Sequence, residues 1–397
     1  MRRLALIIVL GALTAFGPMS IDMYLPAFPA LTRHFHATQA QVQLTLTACL
    51  AGLALGQLLY GPVSDALGRR RPLYAGLAAY AVGSALCVVA PSVGVLTGLR
   101  LVQGLGGAAG IVIARAVVRD LYSGLAAARF FSLLMLVNGL APMLAPLFGA
   151  QVLRFTSWQG VFVVLSGYGL VLLLGVALVL PETLPVERRH RGGLRHTLRT
   201  FKGLLRDRIF VGYALGGGLV FAAMFAYISA SSFVTQEIYG VSPQTFGIIF
   251  GVNALGIVLA SQVNGMLLGR VAPGTLLSAA LAVHLAGGLG VLAAVASGSH
   301  RLIWLLPPLF LAVSMICIVL PNTTALALSG HPEAAGSASA LLGVGQFLCG
   351  AAAAPLVGLG GRGTALPMAV VIAGLGLAAN VVLHVVTRVG VRERVTA

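Results

Sequence analysis

The feature that most constrains this chain is the recurrence of long apolar stretches. Along its 397 residues, twelve segments of predominantly apolar character each reach the length of about 20 residues that a helix needs to cross a bilayer core. They run approximately 4–28, 42–63, 73–91, 94–117, 130–152 and 160–180 in the first half. In the second half they run 209–233, 243–267, 273–297, 302–328, 335–358 and 365–387. Inside hydrocarbon only helices and closed barrels satisfy their own backbone. Barrel strands show shorter, alternating segments. Few aromatics and 51 glycines suit helices that approach one another through small faces. The predicted fold class is therefore an all-α membrane protein of twelve transmembrane helices. Only 9% of the residues are charged, against about a quarter in soluble domains, which excludes a soluble enzyme, a secreted scaffold and a disordered tail.

The few charges are informative by position. The net charge of +16 does not point to nucleic acid, because no basic face with interleaved aromatics exists; lipid headgroups are the expected partners. With the N-terminus placed inside, 20 Lys/Arg fall in inner segments, four (Arg33, Arg154, Arg301, Arg362) fall outside, and Arg100 lies within a helix. Cytoplasmic loops are enriched in these residues, so both termini are predicted to be cytoplasmic. Residues 1–20 resemble a signal peptide, but they continue straight into Asp22 and eleven further spans, and are read as a retained first helix. The one long polar stretch, 181–208, carries eight Lys/Arg and separates halves of nearly equal length. The expected organisation is a six-helix half at 1–180, a basic cytoplasmic linker at 181–208 and a second six-helix half at 209–397, an architecture common among secondary transporters.

Of nine acidic residues, only Asp22 lies well inside a span. An ionised carboxylate near the bilayer centre costs about 2.5–3.5 kcal/mol on insertion scales. Asp22 therefore faces a wet cavity, pairs with a cation, titrates, or caps a helix near the headgroups. Arg100 is the natural counterpart. It lies about 10 Å into span 4 at 1.5 Å per residue, a depth similar to that of Asp22, so the two are expected to share a cavity or to form a plain structural tie. The turn Gly61-Pro62-Val63-Ser64-Asp65-Ala66-Leu67-Gly68-Arg69-Arg70-Arg71 sets glycines, an acid and arginines in order at a helix end. Asp65 there is expected to pair with an arginine or a helix N-terminus, with Arg115 and Arg119 on the correct side to meet it. In span 5, Pro142 and Pro146 remove backbone donors and bend the helix, with Gly149 and other small residues around them. Gln57, Gln103, Asn138, Asn253, Asn322 and Gln346 either line a pathway or tie helices together. Cys49, Cys87, Cys317 and Cys349 lack metal-binding spacing and are read as packing. No HExxH, nucleotide-binding glycine loop or nucleophile elbow is present. Transport without an ATP site draws on an ion gradient or runs passively.

These motifs, in this order, resemble the major facilitator superfamily, and within it the twelve-span drug/proton antiporters. Gly61–Arg71 is similar to the superfamily's loop 2–3 signature. Arg100-Leu101-Val102-Gln103-Gly104 is similar to the span 4 signature associated with proton coupling. Ala145-Pro146-Leu147-Phe148-Gly149-Ala150 is similar to the span 5 antiporter motif, with Ala145 and Ala150 in place of glycines. Ser20-Ile21-Asp22-Met23-Tyr24-Leu25-Pro26, Gly56-Gln57-Leu58-Leu59-Tyr60-Gly61-Pro62, Arg119-Asp120-Leu121-Tyr122, Glu182-Thr183-Leu184-Pro185 and Gly336–Leu341 resemble the Bcr/CflA branch, named for bicyclomycin and chloramphenicol resistance.

The resemblance implies a bacterial inner-membrane exporter. It would exchange small, mostly apolar compounds for protons by alternating access, with the proton gradient as energy source and no cofactor, metal or nucleic acid, working as a monomer. Asp22 and Arg100 would couple to protons, and Gly61, Asp65, Gly68, Arg69, Arg70, Arg115 and Arg119 would form a conformational latch. Asp22, Tyr24, Gln57, Asn138, Met224, Tyr227, Asn253 and Gln346 are the substrate candidates; Met224, Tyr227 and Asn253 enter because spans 7 and 8 border the central pathway in the resembled fold. Thr14 occupies the place of a second acid found in some related exporters, which implies a low proton stoichiometry. Two other readings remain: a dedicated exporter of a metabolite such as a nucleoside or amino acid, and a membrane-embedded enzyme or channel.

Overall fold

A computed structural model describes residues 2–122, 124–189, 201–298, 301–331, 335–358 and 363–396. Among them no strand forms, and each of the twelve apolar stretches is a helix or a broken helix. The first stretch comprises α1 (Arg2–Thr14), α2 (Phe16–Asp22) and α3 (Phe28–His34), with a 3-10 turn at Leu25–Ala27. The remaining stretches of the first half are α4 (Gln39–Leu67), α5 (Arg70–Val88), α6 (Val93–Leu121), α7 (Gly124–Phe155) and α8 (Trp158–Val179). The second half holds α9 (Arg208–Phe233), α10 (Pro243–Leu267), α11 (Pro273–Ala296), α12 (Leu302–Ser314), α13 (Ile316–Leu328), α14 (Ala335–Leu356) and α15 (Leu366–Thr396). Among the described residues, nine helical segments are long and apolar enough to cross a membrane, and the bent pair Leu4–Thr14 and Phe16–His34 makes a tenth. The other two stretches are α5 and α7.

The expectation of one regular helix over 4–28 is corrected. The first span reaches His34 and bends by 44° between Thr14 and Phe16. Proline chemistry explains the breaks. Pro18 lacks the N–H that would bond to the Thr14 carbonyl, and Pro26 lacks the one that would bond to Asp22. Asp22 accordingly stands at the last position of α2, beside the 3-10 turn, rather than within a continuous helix. By contrast α7 runs as one helix through both Pro142 and Pro146.

Packing divides the chain into two units, Met1–Leu194 with Pro243–Gly251, and Arg195–Ser242 with Val252–Ala397. In the first, α4 and α6 meet at Gly104, where a methyl would lie 2.1 Å from the Cys49 carbonyl oxygen; only the smallest residue permits that approach. Phe16, Tyr24, Phe28, Tyr80 and Phe162 fill its interior. In the second unit, Leu204, Phe210, Ala327, Ala338 and Leu342 form a buried cluster. The boundary between the units falls inside the stretch read as linker 181–208. Its opening, 181–189, belongs with the first unit, and 190–200 lies outside the described residues.

Candidate functional site

Two polar centres are built into the first unit. One surrounds Arg100 on α6, which is completely buried. Its Nη2 donates to the Ser20 carbonyl at 2.8 Å and its Nη1 to Gln103 Oε1. The guanidinium lies 4.6 Å from the ring centroid of Tyr24 and 5.8 Å from that of Phe162, an arrangement in which ring quadrupoles stabilise a cation. The contacts extend outward. Gln103 Nε2 donates to Ser84 Oγ at 2.7 Å, and Ser84 donates to the Tyr80 carbonyl at 2.7 Å. The hydroxyls of Ser20 and Tyr80 share a bond of 2.8 Å. Because Thr45 Oγ1 donates to the Val42 carbonyl, it accepts from the Tyr24 hydroxyl at 3.1 Å.

Asp22 is buried, with 4% exposure, and its Oδ1 has no hydrogen-bond partner. The alternative of a direct structural tie between Asp22 and Arg100 is corrected: among the described residues Asp22 forms no ion pair. Arg100 is committed instead to the carbonyl of Ser20, two residues earlier, and to the aromatic faces. Arg100 Nε and Gln57 Nε2 are also buried without partners. Buried polar groups are normally satisfied; Trp158 Nε1 and Gln159 Oε1 in the same unit are likewise without a partner. Gly149, in the span 5 motif, bears directly on the same turn. A Cβ there would lie 2.0 Å from the Met23 carbonyl oxygen, so α7 reaches the Asp22-Met23-Tyr24 segment only because position 149 has no side chain. The side chain of Asn138 lies outside the described residues.

The second centre is the turn between α4 and α5. Arg69, 4% exposed, donates through Nη1 to Asp65 Oδ1 at 2.5 Å and Ser64 Oγ at 2.9 Å. Through Nε and Nη2 it grips both oxygens of Asp120, at 2.8 and 3.3 Å. Thr183 adds a bond to Asp120 Oδ2 at 2.9 Å. Glu182, just beyond α8, accepts from the backbone N–H of Arg69 at 2.8 Å, of Arg70 at 3.2 Å and of Leu184 at 3.1 Å. Gly68 adopts φ +87°, and a Cβ on it would come within 2.6 Å of Glu182 Oε2, so a side chain would be both strained and obstructed. Burial opposes the charge on Glu182, but the three backbone donors and nearby Arg189 outweigh it and hold its carboxyl below the usual range. Burial likewise opposes the Arg69 charge, which its hydrogen bonds to Asp120 and Asp65 hold in place, raising its pKa.

This geometry corrects the expected partners of the turn. Arg115 and Arg119 are exposed and form no ion pair among the described residues. Arg69 meets Asp65, and the acids that complete the cluster are Asp120 and Glu182. Arg70 contributes its backbone N–H to Glu182, while its side chain turns to Tyr74. No atom approaches within 4 Å of a Cβ at Gly61. Sequence reasoning quoted Arg119-Asp120 and Glu182-Thr183 without giving the acids a role. The available signal was two carboxylates at helix ends on the arginine-rich side.

The second unit carries a partly exposed pair, His331 Nε2 with Asp207 Oδ2 at 2.7 Å, and its buried ties are neutral. Asn253 Nδ2 donates to the Tyr227 hydroxyl at 3.0 Å, which brings together two of the substrate candidates. Asn322 Nδ2 bonds Asn264 Oδ1 at 2.7 Å, and Asn380 donates to the Leu281 carbonyl at 3.1 Å. Met224 and Gln346 are half-buried, and Gln346 Nε2 stands 3.9 Å from where a Cβ on Gly217 would be. Among the described residues no group of three His, Cys, Asp or Glu is arranged to hold a metal.

Comparisons with known proteins agree with the fold. An MFS-type transporter, YdgK, of Bacillus subtilis is 43% identical over 368 residues, 92% of this chain and 91% of the relative. A bicyclomycin resistance protein homolog of Haemophilus influenzae is 34% identical, covering 91% of each chain. The crystal structure of a bacterial homolog of the human lysosomal transporter Spinster, inward-facing and occupied, superposes with a TM-score of 0.76 at 16% identity, covering 97% of both chains. The family model of the Major Facilitator Superfamily matches residues 10–354. With twelve helical stretches, a buried acid at a broken first span and an arginine-centred turn between α4 and α5, the chain is a transporter that belongs to the Major Facilitator Superfamily.

Proposed function

We propose that this transporter is a proton-coupled antiporter that exports small, mostly apolar compounds, of the kind handled by drug-resistance proteins, from the cytoplasm of a bacterium. The observation that carries this reading is Asp22, a buried carboxyl whose Oδ1 has no partner. It sits two residues from the carbonyl that Arg100 holds. A carboxylate left uncompensated in a membrane interior is costly, so it suits a group that is alternately protonated and exposed to water. Asp22 takes a proton from outside as substrate leaves there, and gives it up inside as the next substrate binds. The aromatic and aliphatic surroundings suit an apolar cargo. The relative in Haemophilus influenzae, named for bicyclomycin resistance, supports that substrate class. The Arg69 cluster latches the cytoplasmic side closed in one half of the cycle, and both termini lie in the cytoplasm.

The test is proton movement in energised everted vesicles containing wild type or Asp22→Asn, challenged with candidate compounds. Compound-triggered proton efflux in wild type alone is expected. Equal efflux in both moves the proton site elsewhere, and transport indifferent to the gradient rejects antiport.

A further inference from the structure

A cavity of about 730 Å³ opens at the arginine-rich ends of α1, α5, α6 and α8, lined among others by Leu6, Arg70, Leu121, Tyr122, Leu178 and Pro181. Its size is that of a ligand site, and no step of the proposed transport cycle uses it. Neighbouring arginines part company here, for Arg69 turns into its cluster of acids while Arg70 turns away. The Nε and Nη2 of Arg70 donate to the Tyr74 hydroxyl, and Nη2 also reaches the Ala177 carbonyl at 3.5 Å. Nη1 takes part in none of these bonds, and among the described residues no carboxylate forms an ion pair with Arg70. Glu182, which accepts from the Arg70 backbone, is already engaged with the N–H groups of residues 69, 70 and 184. Beside this uncompensated cation stand open aliphatic walls, with Leu121 41% and Leu178 85% exposed.

We propose that this cavity seats an anionic phospholipid, its phosphate on the free edge of the Arg70 guanidinium and an acyl chain along Leu121 and Leu178. A guanidinium is well matched to phosphate oxygens, and exposed leucines at a helix end match a lipid tail. The 190–200 segment of the chain is a poor occupant, since it carries Arg191, Arg195 and Arg199 and no acid. A soluble anion would have no use for the leucine walls. In the orientation proposed above this phospholipid belongs to the inner leaflet; the site itself does not depend on that orientation.

The experiment is native mass spectrometry of the delipidated full-length protein in detergent, titrated with dioleoyl phosphatidylglycerol or with zwitterionic dioleoyl phosphatidylcholine. Wild type is expected to retain a phosphatidylglycerol in preference to phosphatidylcholine. Arg70→Gln should weaken phosphatidylglycerol by about fivefold or more, the scale of one arginine acting on an anionic lipid, while Arg70→Lys keeps most of the affinity. Ala177→Trp, which obstructs the wall and leaves the charge, should weaken both lipids. Arg206→Gln, outside the cavity, should leave binding intact. Unchanged phosphatidylglycerol affinity in Arg70→Gln and Ala177→Trp overturns the proposal. So does the absence of any lipid preference in wild type, or full displacement by millimolar inorganic phosphate, which would mark a soluble-anion site.

Discussion

The two units solve the burial of polar groups in opposite ways. The first buries ionisable groups: Arg100 against ring faces and a carbonyl, Asp22 with an unpartnered oxygen, and Arg69 among carboxylates. The second buries amides and hydroxyls, Asn253 with Tyr227 and Asn322 with Asn264, each satisfied without formal charge. Neutral hydrogen bonds contribute about 1 kcal/mol each and do not respond to protons or potential. Buried charges are expensive, and they make a structure sensitive to protonation. If the proposed coupling at Asp22 and Arg100 holds, energy coupling and polar cohesion belong to different parts of one chain.

The largest effect expected from breaking this contrast is at Arg100. Arg100→Ala should reduce proton-coupled export in vesicles to the uncoupled background, whereas Asn253→Ala should alter the range of exported compounds and keep the coupling. Loss of coupling in both variants would show that the charged unit is not special. Next in size is the approach of α7 to the Asp22 turn. Gly149→Val drives a side chain into the Met23 carbonyl and should cost about 1–3 kcal/mol and impair coupled transport. Gly61→Ala, which meets nothing within 4 Å, should leave thermal stability and export unchanged.

A smaller effect concerns acid. The Glu182 carboxyl is held below the usual range, so its contribution to the turn is present above the ordinary glutamate pKa. It is lost only as pH falls through the lowered value. Protection factors at amides 69 and 70, corrected for the intrinsic exchange rate at each pH, should therefore stay high from neutral to mildly acidic pH and fall only below the normal glutamate range. In Glu182→Gln the low protection should already be present at pH 7. Smallest is Asn322→Ala in the neutral unit, which should lower stability by about 1 kcal/mol as read by thermal unfolding in detergent, with proton coupling intact.

Much of this was legible in the primary structure because the bilayer simplifies the problem: hydropathy located the helical stretches, and the scarcity of charge singled out Asp22, Arg100 and the 61–71 turn. What the chain concealed was partnership. Equal depth placed Asp22 and Arg100 near each other, yet Tyr24 and Phe162 present ring faces to the guanidinium, and ring orientation leaves no mark on a hydropathy profile. Arg69 was visible as one of three arginines, but its choice of Asp120 and the approach of Glu182 span 51 and 113 residues of sequence. Proline chemistry at Pro18 and Pro26 was available in advance as the cause of the broken first span, although apolarity alone argued for a continuous one.

The bond between Glu182 and the α5 N-terminus has a consequence for how this protein can drift. Arg69 recognises Asp65 and Asp120 through side chains, so a change at one of those positions invites a compensating change at another. Glu182 grips peptide N–H groups, which every residue but proline provides. Substitution at position 70 therefore leaves that bond in place, and no exchange of residue types links 70 to 182. Among related sequences the contact would leave no trace of paired variation, only a standing requirement for an acceptor at 182 and for a residue other than proline at 69 and 70.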